Sequence, residues 1–157
     1  MPLVPTVLQT EITKIIDQDS PLFEGFPADS PEVAERWSEA IRVYTQSIIP
    51  VSINGTLAKQ AMYSSLLAIN SQTPTGLTIF CAGVLAFATS LGLGMQPAFT
   101  ATPPPAPLEP LLSPIMISGF AGATSAVIAP QMATAIDGWF RTGIAINNTS
   151  GVTIPWS

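Results

Sequence analysis

The residue types that carry most enzyme chemistry are scarce in this chain of 157 residues. The sequence has no histidine and a single cysteine, Cys81, which excludes histidine-based nucleophiles, proton shuttles and zinc sites. Cys81 lies between Phe80 and Ala82, with no base or cation beside it in the sequence. These neighbours predict a buried, inert thiol and not a nucleophile.

Carboxylates are the remaining candidates for catalysis or metal binding. The densest acidic group consists of Asp17, Asp19 and Glu24. This group lacks the ligand order and the closing glutamate of an EF-hand calcium site. Glu109 and Asp137 stand alone in apolar surroundings, which would suit an acid–base pair, but Arg141 follows Asp137 at the spacing of a helical ion pair. We therefore predict no catalytic residue, no cofactor and no metal site.

Charge is distributed unevenly along the chain. There are 5 lysines and arginines against 10 aspartates and glutamates, a formal net charge of −5. No charged residue lies between Gln60 and Leu108 or between Pro110 and Ile136. This balance argues against nucleic-acid binding, which needs clustered basic residues. Such scarce charge also predicts that partner subunits or lipid cover much of the surface.

The elements that must carry these residues are mainly helices. The clearest is predicted over 30–49, where Ser30 caps the start, a proline stands in the first turn, and apolar residues such as Trp37 and Tyr44 form one stripe. The same periodicity predicts further helices near 8–17, 57–69, 75–93 and 124–141. A break is predicted at Ser71–Pro74, and Pro130 must start or kink the last helix.

Two other segments are predicted to be extended. The proline-rich stretch 96–110 predicts a polyproline-type connector. Residues 144–157 alternate apolar and polar side chains around a turn, which predicts a short β-hairpin or an extended C-terminal arm with Ile144, Ile146 and Ile154 on one side. The predicted fold class is therefore mainly α, a single-domain helical bundle over 1–157 with this connector and arm.

The stretch GLTIFCAGVLAFATSLGLGM, residues 76–95, raises the question of a membrane. A bilayer-spanning helix needs about 20 apolar residues, and a second run at 115–136 would complete a helical hairpin of the kind found in holin-like pore formers. Spanning hairpins normally carry lysine or arginine beside their cytoplasmic ends, whereas the nearest here are Lys59 and Arg141. We favour burial in protein and keep the membrane hairpin as the alternative.

The order of segments resembles small structural proteins of tailed bacteriophages. A short N-terminal helix precedes AERWSEAIRVYTQSIIP, then uncharged Ala/Ser-rich helices split by PPPAP, and finally AIDGWFRTG before a polar turn and a short tail. The resemblance implies a non-enzymatic virion component of the neck, tail or baseplate, assembled in the host cytoplasm. Its partners would be other virion structural proteins and copies of itself. A soluble decoration or chaperone-like module is a third interpretation.

Assembly through subunit contacts requires large apolar residues that other subunits can reach. Five such residues lie in linkers or near the end of the chain, and we predict that they form the interface. These residues are Phe99, Trp139, Phe140, Ile154 and Trp156.

Overall fold

The computed structural model describes residues 2–68 and 76–157, which contain six helices and a small antiparallel sheet. The elements are α1 Pro5–Ile16, α2 Ser30–Thr45, α3 Gly55–Leu66, α4 Gly76–Leu93, β1 Phe99–Thr102, α5 Glu109–Phe120, α6 Ser125–Phe140, β2 Ile144–Asn147 and β3 Thr153–Pro155. The predicted mainly helical fold with a short C-terminal hairpin is confirmed. The predicted break at Ser71–Pro74 and the predicted helix start at residue 75 lie outside the described residues.

The start of α2 shows how local sequence determines a helix end. Asp29, and not the predicted Ser30, is the capping residue, since its Oδ1 accepts a hydrogen bond from the Glu32 amide at 2.9 Å. Glu32 in turn accepts from the Ala28 amide at 2.7 Å. Two amides at the helix start are thus satisfied by reciprocal side-chain bonds. The helix ends at Thr45, earlier than predicted.

The helices pack side by side around one apolar core. α1 packs against α2 and α6, α2 against α3, α3 against α4, and α5 against α4 and α6. Each long helix contributes one stripe at three-to-four spacing, because residues at this spacing lie on one face. Fully buried members of these stripes include Leu8, Ile12, Ile41, Met62, Leu66, Val84, Phe87 and Ile136.

Helix α5 is an element that the sequence interpretation missed. It spans Glu109–Phe120, with a proline in its first turn and Pro114 inside it. Gly122, at φ +100°, turns the chain between α5 and α6, a backbone conformation that only glycine adopts without cost. The run 115–136 is therefore divided between two helices and is not one continuous span. Pro130 lies inside α6 and does not start it.

The C-terminal sheet has the strand order β1-β2-β3, with both pairs antiparallel. Part of the predicted connector is thus an edge strand, Phe99–Thr102. Ala145 of β2 is buried and lies opposite both Ala101 and Ile154. Directly opposed residues share a face, so Ile154 points inward while Ile144 and Ile146 point outward. The prediction that these three isoleucines share a side is wrong, because the turn length sets the register.

Candidate interaction surfaces

Three of the five predicted interface residues lie in the centre of the protein. Trp139, Phe140 and Trp156 are all buried, so the expectation that they are exposed is wrong. Phe140 is surrounded by rings in edge contact, with its centroid 5.2 Å from that of Trp139 and 5.7 Å from that of Tyr44. Such pairs stabilise a core beyond the area they bury. These residues are anchors of the fold.

The C-terminal tail is held inside the protein and is not a free arm. The Trp156 amide donates to the Gly143 carbonyl at 2.8 Å, and Ser157 and Ile49 exchange two backbone hydrogen bonds of 2.7 and 3.0 Å. The Trp156 ring fits against Gly143, where an added Cβ would lie only 2.6 Å from the ring atom Cδ2. The tail therefore closes the sheet over the core.

The two remaining predicted interface residues are only partly accessible. Phe99 and Ile154 lie on the inner face of the sheet, and both are half-buried. Phe99 packs against the core. None of the five predicted interface residues is fully exposed.

Asp137 and Arg141 form the predicted helical ion pair, with Nε to Oδ2 at 2.7 Å. The Tyr44 hydroxyl donates to Asp137 Oδ1 at 2.7 Å, and Arg141 also donates to the Leu3 carbonyl at 2.6 Å. Burial raises the pKa of Tyr44 well above its usual range, and the neighbouring Asp137 carboxylate raises it further. This network joins the N-terminal segment, α2 and α6. Because each of its polar groups has a partner, its arrangement is that of a structural link.

Two other candidate acids each accept a hydrogen bond from a side chain of another helix. Buried Asp17 accepts a hydrogen bond from Ser125 Oγ at 2.9 Å, which ties the end of α1 to the start of α6. Glu109 accepts from Thr78 Oγ1 at 3.0 Å, whereas Asp137 is engaged by Tyr44. Among residues 2–68 and 76–157, no cluster of three or more His, Cys, Asp or Glu side chains could hold a metal ion.

Cys81 is buried, as the sequence predicts. Burial raises the pKa of its thiol to about 12, and the negative charge of Glu109 adds to this rise. The thiol is therefore protonated at neutral pH, and a protonated thiol is a poor nucleophile.

A cleft lies above Cys81, between α4 and the segment that leads into α5. Its cavity volume is about 340 Å³. One wall is the exposed side of α4, and the other is the proline-rich segment 104–108. The lining residues include Thr78, Ala82, Leu85, Ala106, Glu109 and Trp139. The Trp139 indole donates to the Ala106 carbonyl at 2.6 Å, which fixes the second wall to α6.

Ion pairs join charged residues on the helices α1 to α3. Lys14 pairs with Glu11, Arg36 with Glu32, Arg42 with Glu39, and Lys59 with both Glu35 and Glu39. The hydrogen bond from Arg42, assisted by Lys59, lowers the pKa of Glu39 to about 2. Since Arg141 pairs with Asp137, every basic side chain of the chain is already bound to a carboxylate.

Two surfaces expose large apolar side chains that the sequence interpretation did not single out. The first, here called the α5–α6 surface, is defined by the exposed large apolar residues of these two helices, Leu111, Ile117, Phe120 and Val127. Ile117 and Phe120 lie on one face of α5, and Phe120 is 88% exposed, whereas Leu111 lies on the opposite side of that helix. The second, the loop surface, comprises Val51, Ile53, Leu57 and Leu93. The Ile53 amide donates to the Gly94 carbonyl at 3.1 Å, which places this loop against the end of α4. Residue type alone does not distinguish these exposed residues from core residues.

Helix α4 is the one helix in the described ranges that is long and apolar enough to cross a membrane, with a mean hydropathy of 1.9 over Gly76–Leu93. Of this helix, 44% is buried inside the protein, on the face that contains Val84 and Phe87. Thr78, Ala82 and Leu85 lie on the exposed face. The uncharged helix is thus half covered by its own fold and is not enclosed at the centre of the core.

Comparison with known proteins gives no match, whether with protein-family models, with curated proteins or with solved structures.

Proposed function

We propose that this chain is a non-enzymatic structural subunit of a tailed-phage virion, located in the neck, tail or baseplate and acting through contacts with neighbouring subunits. The observation that carries the proposal is the α5–α6 surface. It exposes Phe120, Ile117 and two further large apolar residues within a stretch that has no charge from Pro110 to Ile136. Interfaces of permanent assemblies resemble a protein core cut in half and are depleted of charge.

The free energy available from burying the exposed apolar side chains supports a role in subunit contacts. Transfer of one large apolar side chain from water into an interface contributes about 1.5–3 kcal/mol. Phe120 and Ile117 are 88% and 62% exposed, so each can still contribute most of that amount on association. In a symmetric ring every subunit repeats the contact. A shallow apolar depression between α5 and α6, lined by Ile115, Pro130 and Ala135 among others, offers a place for a neighbour's side chain.

The charge pattern is consistent with the same role. The basic side chains all lie in ion pairs, on the helices α1 to α3 or at Arg141. A surface of paired charges is suited to solvent, whereas the uncharged α5–α6 surface is suited to a partner. The subunit would thus have one solvated side and one associating side.

The proposed location in the virion is tested by quantitative mass spectrometry of gradient-purified particles of a phage that encodes the chain. We expect a fixed, small-integer ratio to other structural proteins in every particle fraction. Absence of the chain from purified particles would overturn the virion assignment. Recovery in the host membrane fraction, resistant to carbonate and released by detergent, would favour the holin-like alternative, in which α4 is a span.

The contact surface is tested separately with Phe120→Ser. This variant should retain the helical circular dichroism and thermal stability of the parent chain, because the side chain is exposed. It should lose co-elution with the neighbouring structural protein in light-scattering-coupled gel filtration. Leu22→Ser is the matched control, since Leu22 is also exposed but lies in the N-terminal loop. Equal association by both variants would refute the role of the α5–α6 surface.

A further inference from the structure

The cleft between α4 and the segment 104–108, here called the connector cleft, has preformed walls. The Trp139 indole holds the Ala106 carbonyl at 2.6 Å, so the proline-rich wall is attached to α6. At one end, Thr78 Oγ1 donates to Glu109 Oε1 at 3.0 Å, which joins α4 to the start of α5. Prolines also restrict the backbone of this wall. A site built this way loses little conformational entropy when it binds a ligand.

The size of the connector cleft is that of a small-molecule site. Its cavity volume of about 340 Å³ lies within the usual range of about 300–1,000 Å³ for ligand pockets. Its walls are mainly apolar, formed by Ala82 and Leu85 on one side and by Pro104, Pro105 and Pro107 on the other. Alkyl groups are the chemistry that such walls favour.

The charge in the connector cleft has one sign. Among the lining residues that the structure describes, Glu109 is the only charged one. All five basic side chains of the chain pair with other carboxylates, so none of them neutralises Glu109. The field of Glu109 reaches the floor of the cleft, because it contributes to the raised pKa of Cys81. An occupant that carries positive charge would therefore be stabilised next to apolar walls.

We propose that the connector cleft binds an alkylammonium group, with the alkyl chain between Leu85 and the proline wall and the ammonium ion at the Glu109 carboxylate. Two sources present this chemistry: a free amine and the lysine side chain of another protein. Lysine has the required shape, since its apolar stem lies along apolar surface while its charged end seeks a carboxylate. This proposal does not depend on the virion role, because it concerns a separate part of the surface.

The test is an NMR titration of the isotope-labelled chain with hexylammonium, hexanol and hexanoate at equal ionic strength. We expect hexylammonium to shift the amide signals of Thr78, Ala82 and Leu85 in a saturable way, hexanol to bind at least 10-fold more weakly, and hexanoate not to bind. A capped peptide with one central lysine, compared with its norleucine analogue, distinguishes the sources. Tighter binding of the lysine peptide than of hexylammonium would assign a protein partner, and the reverse order would assign a free amine.

Variants test separately how the Glu109 charge and the apolar walls contribute to binding. Glu109→Gln keeps an oxygen that can accept from Thr78 but removes the charge, so hexylammonium should bind at least 10-fold more weakly while hexanol is unaffected. Asp19→Asn, at an exposed acid outside the cleft, is the matched control and should bind as the parent chain does. Ala82→Leu, at an exposed position on the cleft wall, should abolish binding of both compounds.

Three results would overturn the proposal. The first is equal binding of hexylammonium and hexanol by the parent chain, since the carboxylate would then contribute nothing. The second is unchanged hexylammonium binding by Glu109→Gln. The third is a set of signal shifts that spread over the surface and do not saturate. Because these results concern only the connector cleft, they leave the proposed virion role untouched, and failure of the particle analysis leaves this proposal untouched.

Discussion

Replacement of Gly143 by alanine tests how the C-terminal tail closes over the core. A Cβ at this position would lie 2.6, 2.8 and 3.0 Å from the Trp156 ring atoms Cδ2, Cε3 and Cε2. Carbon atoms in ordinary contact are about 3.5–4.0 Å apart, so the ring would have to move by roughly 1 Å. The Trp156 ring is fully buried, and its backbone is hydrogen-bonded to Gly143. The clash therefore has no easy relief.

The expected cost follows from this geometry. Overpacking a well-packed core costs about 1–3 kcal/mol. For a chain of this length, 1 kcal/mol corresponds to about 3 °C in Tm, so Gly143→Ala should lower Tm by about 3–9 °C. Urea denaturation followed by circular dichroism should show a lower midpoint with an unchanged slope, because the surface exposed on unfolding stays the same.

Gly138→Ala is the matched control on the same stretch of chain. Gly138 lies inside α6, and a Cβ there meets no atom within 4 Å, so alanine should stabilise the protein by about 1 kcal/mol. In a Trp156→Leu background, which removes the indole, Gly143→Ala should lower the free energy of unfolding much less than it does in the parent chain. If Gly143→Ala is as stable as the parent chain, the packing of Trp156 on Gly143 is wrong, and with it the closure of the sheet over the core.

Three further predictions concern the polar groups. Tyr44→Phe should lower the free energy of unfolding by about 2 kcal/mol in urea denaturation, because it removes a buried hydrogen bond to the Asp137 carboxylate. The control Tyr63→Phe, at a half-buried position, should lower it by less than about 0.5 kcal/mol. Equal losses in the two variants would contradict the role of the Tyr44–Asp137 hydrogen bond. The pKa of Glu39 is about 2, below its ordinary 4.5, so its pairing stabilises the fold above about pH 4.5 and is lost as the pH falls toward 2. Glu39→Gln should therefore reduce the loss of stability over that pH window by a measurable amount, up to about 1 kcal/mol, because the pair is partly exposed. An acid profile identical to that of the parent chain would refute the linkage. Alkylation of Cys81 in the folded protein at pH 8 should be about a thousandfold slower than in urea, given its raised pKa, and comparable rates would show that the thiol is open to solvent.

Most of the helices could be predicted from the sequence. The stripe that includes Ile41 and Tyr44, and the charge-free run that forms α4, depend only on local spacing and composition. Helix α5 was not predicted because its prolines were read as breakers. Pro110 stands in the first turn of α5, where no amide donor is needed. Pro114 lies inside the helix, where it removes one backbone hydrogen bond, and the helix nevertheless continues through it.

The candidate site was harder to predict than the fold. Trp139, Phe140 and Trp156 lie near the chain end, and position in the sequence suggested exposure. Burial depends on how the whole chain packs. It is set by contacts such as that of Trp156 with Gly143, which helical periodicity does not reveal. For the same reason the exposed Phe120 could not be distinguished from a core residue by its type alone.

The sequence by itself determined that the chain forms helices, that it carries no histidine chemistry, that Cys81 is buried and that Asp137 pairs with Arg141. All of these depend on residue type or on spacings of a few residues. The tertiary structure alone decided which apolar residues remain exposed, how the strands align and where the connector cleft lies. These features arise from contacts between residues that are far apart in the chain, and only the folded arrangement brings such residues together.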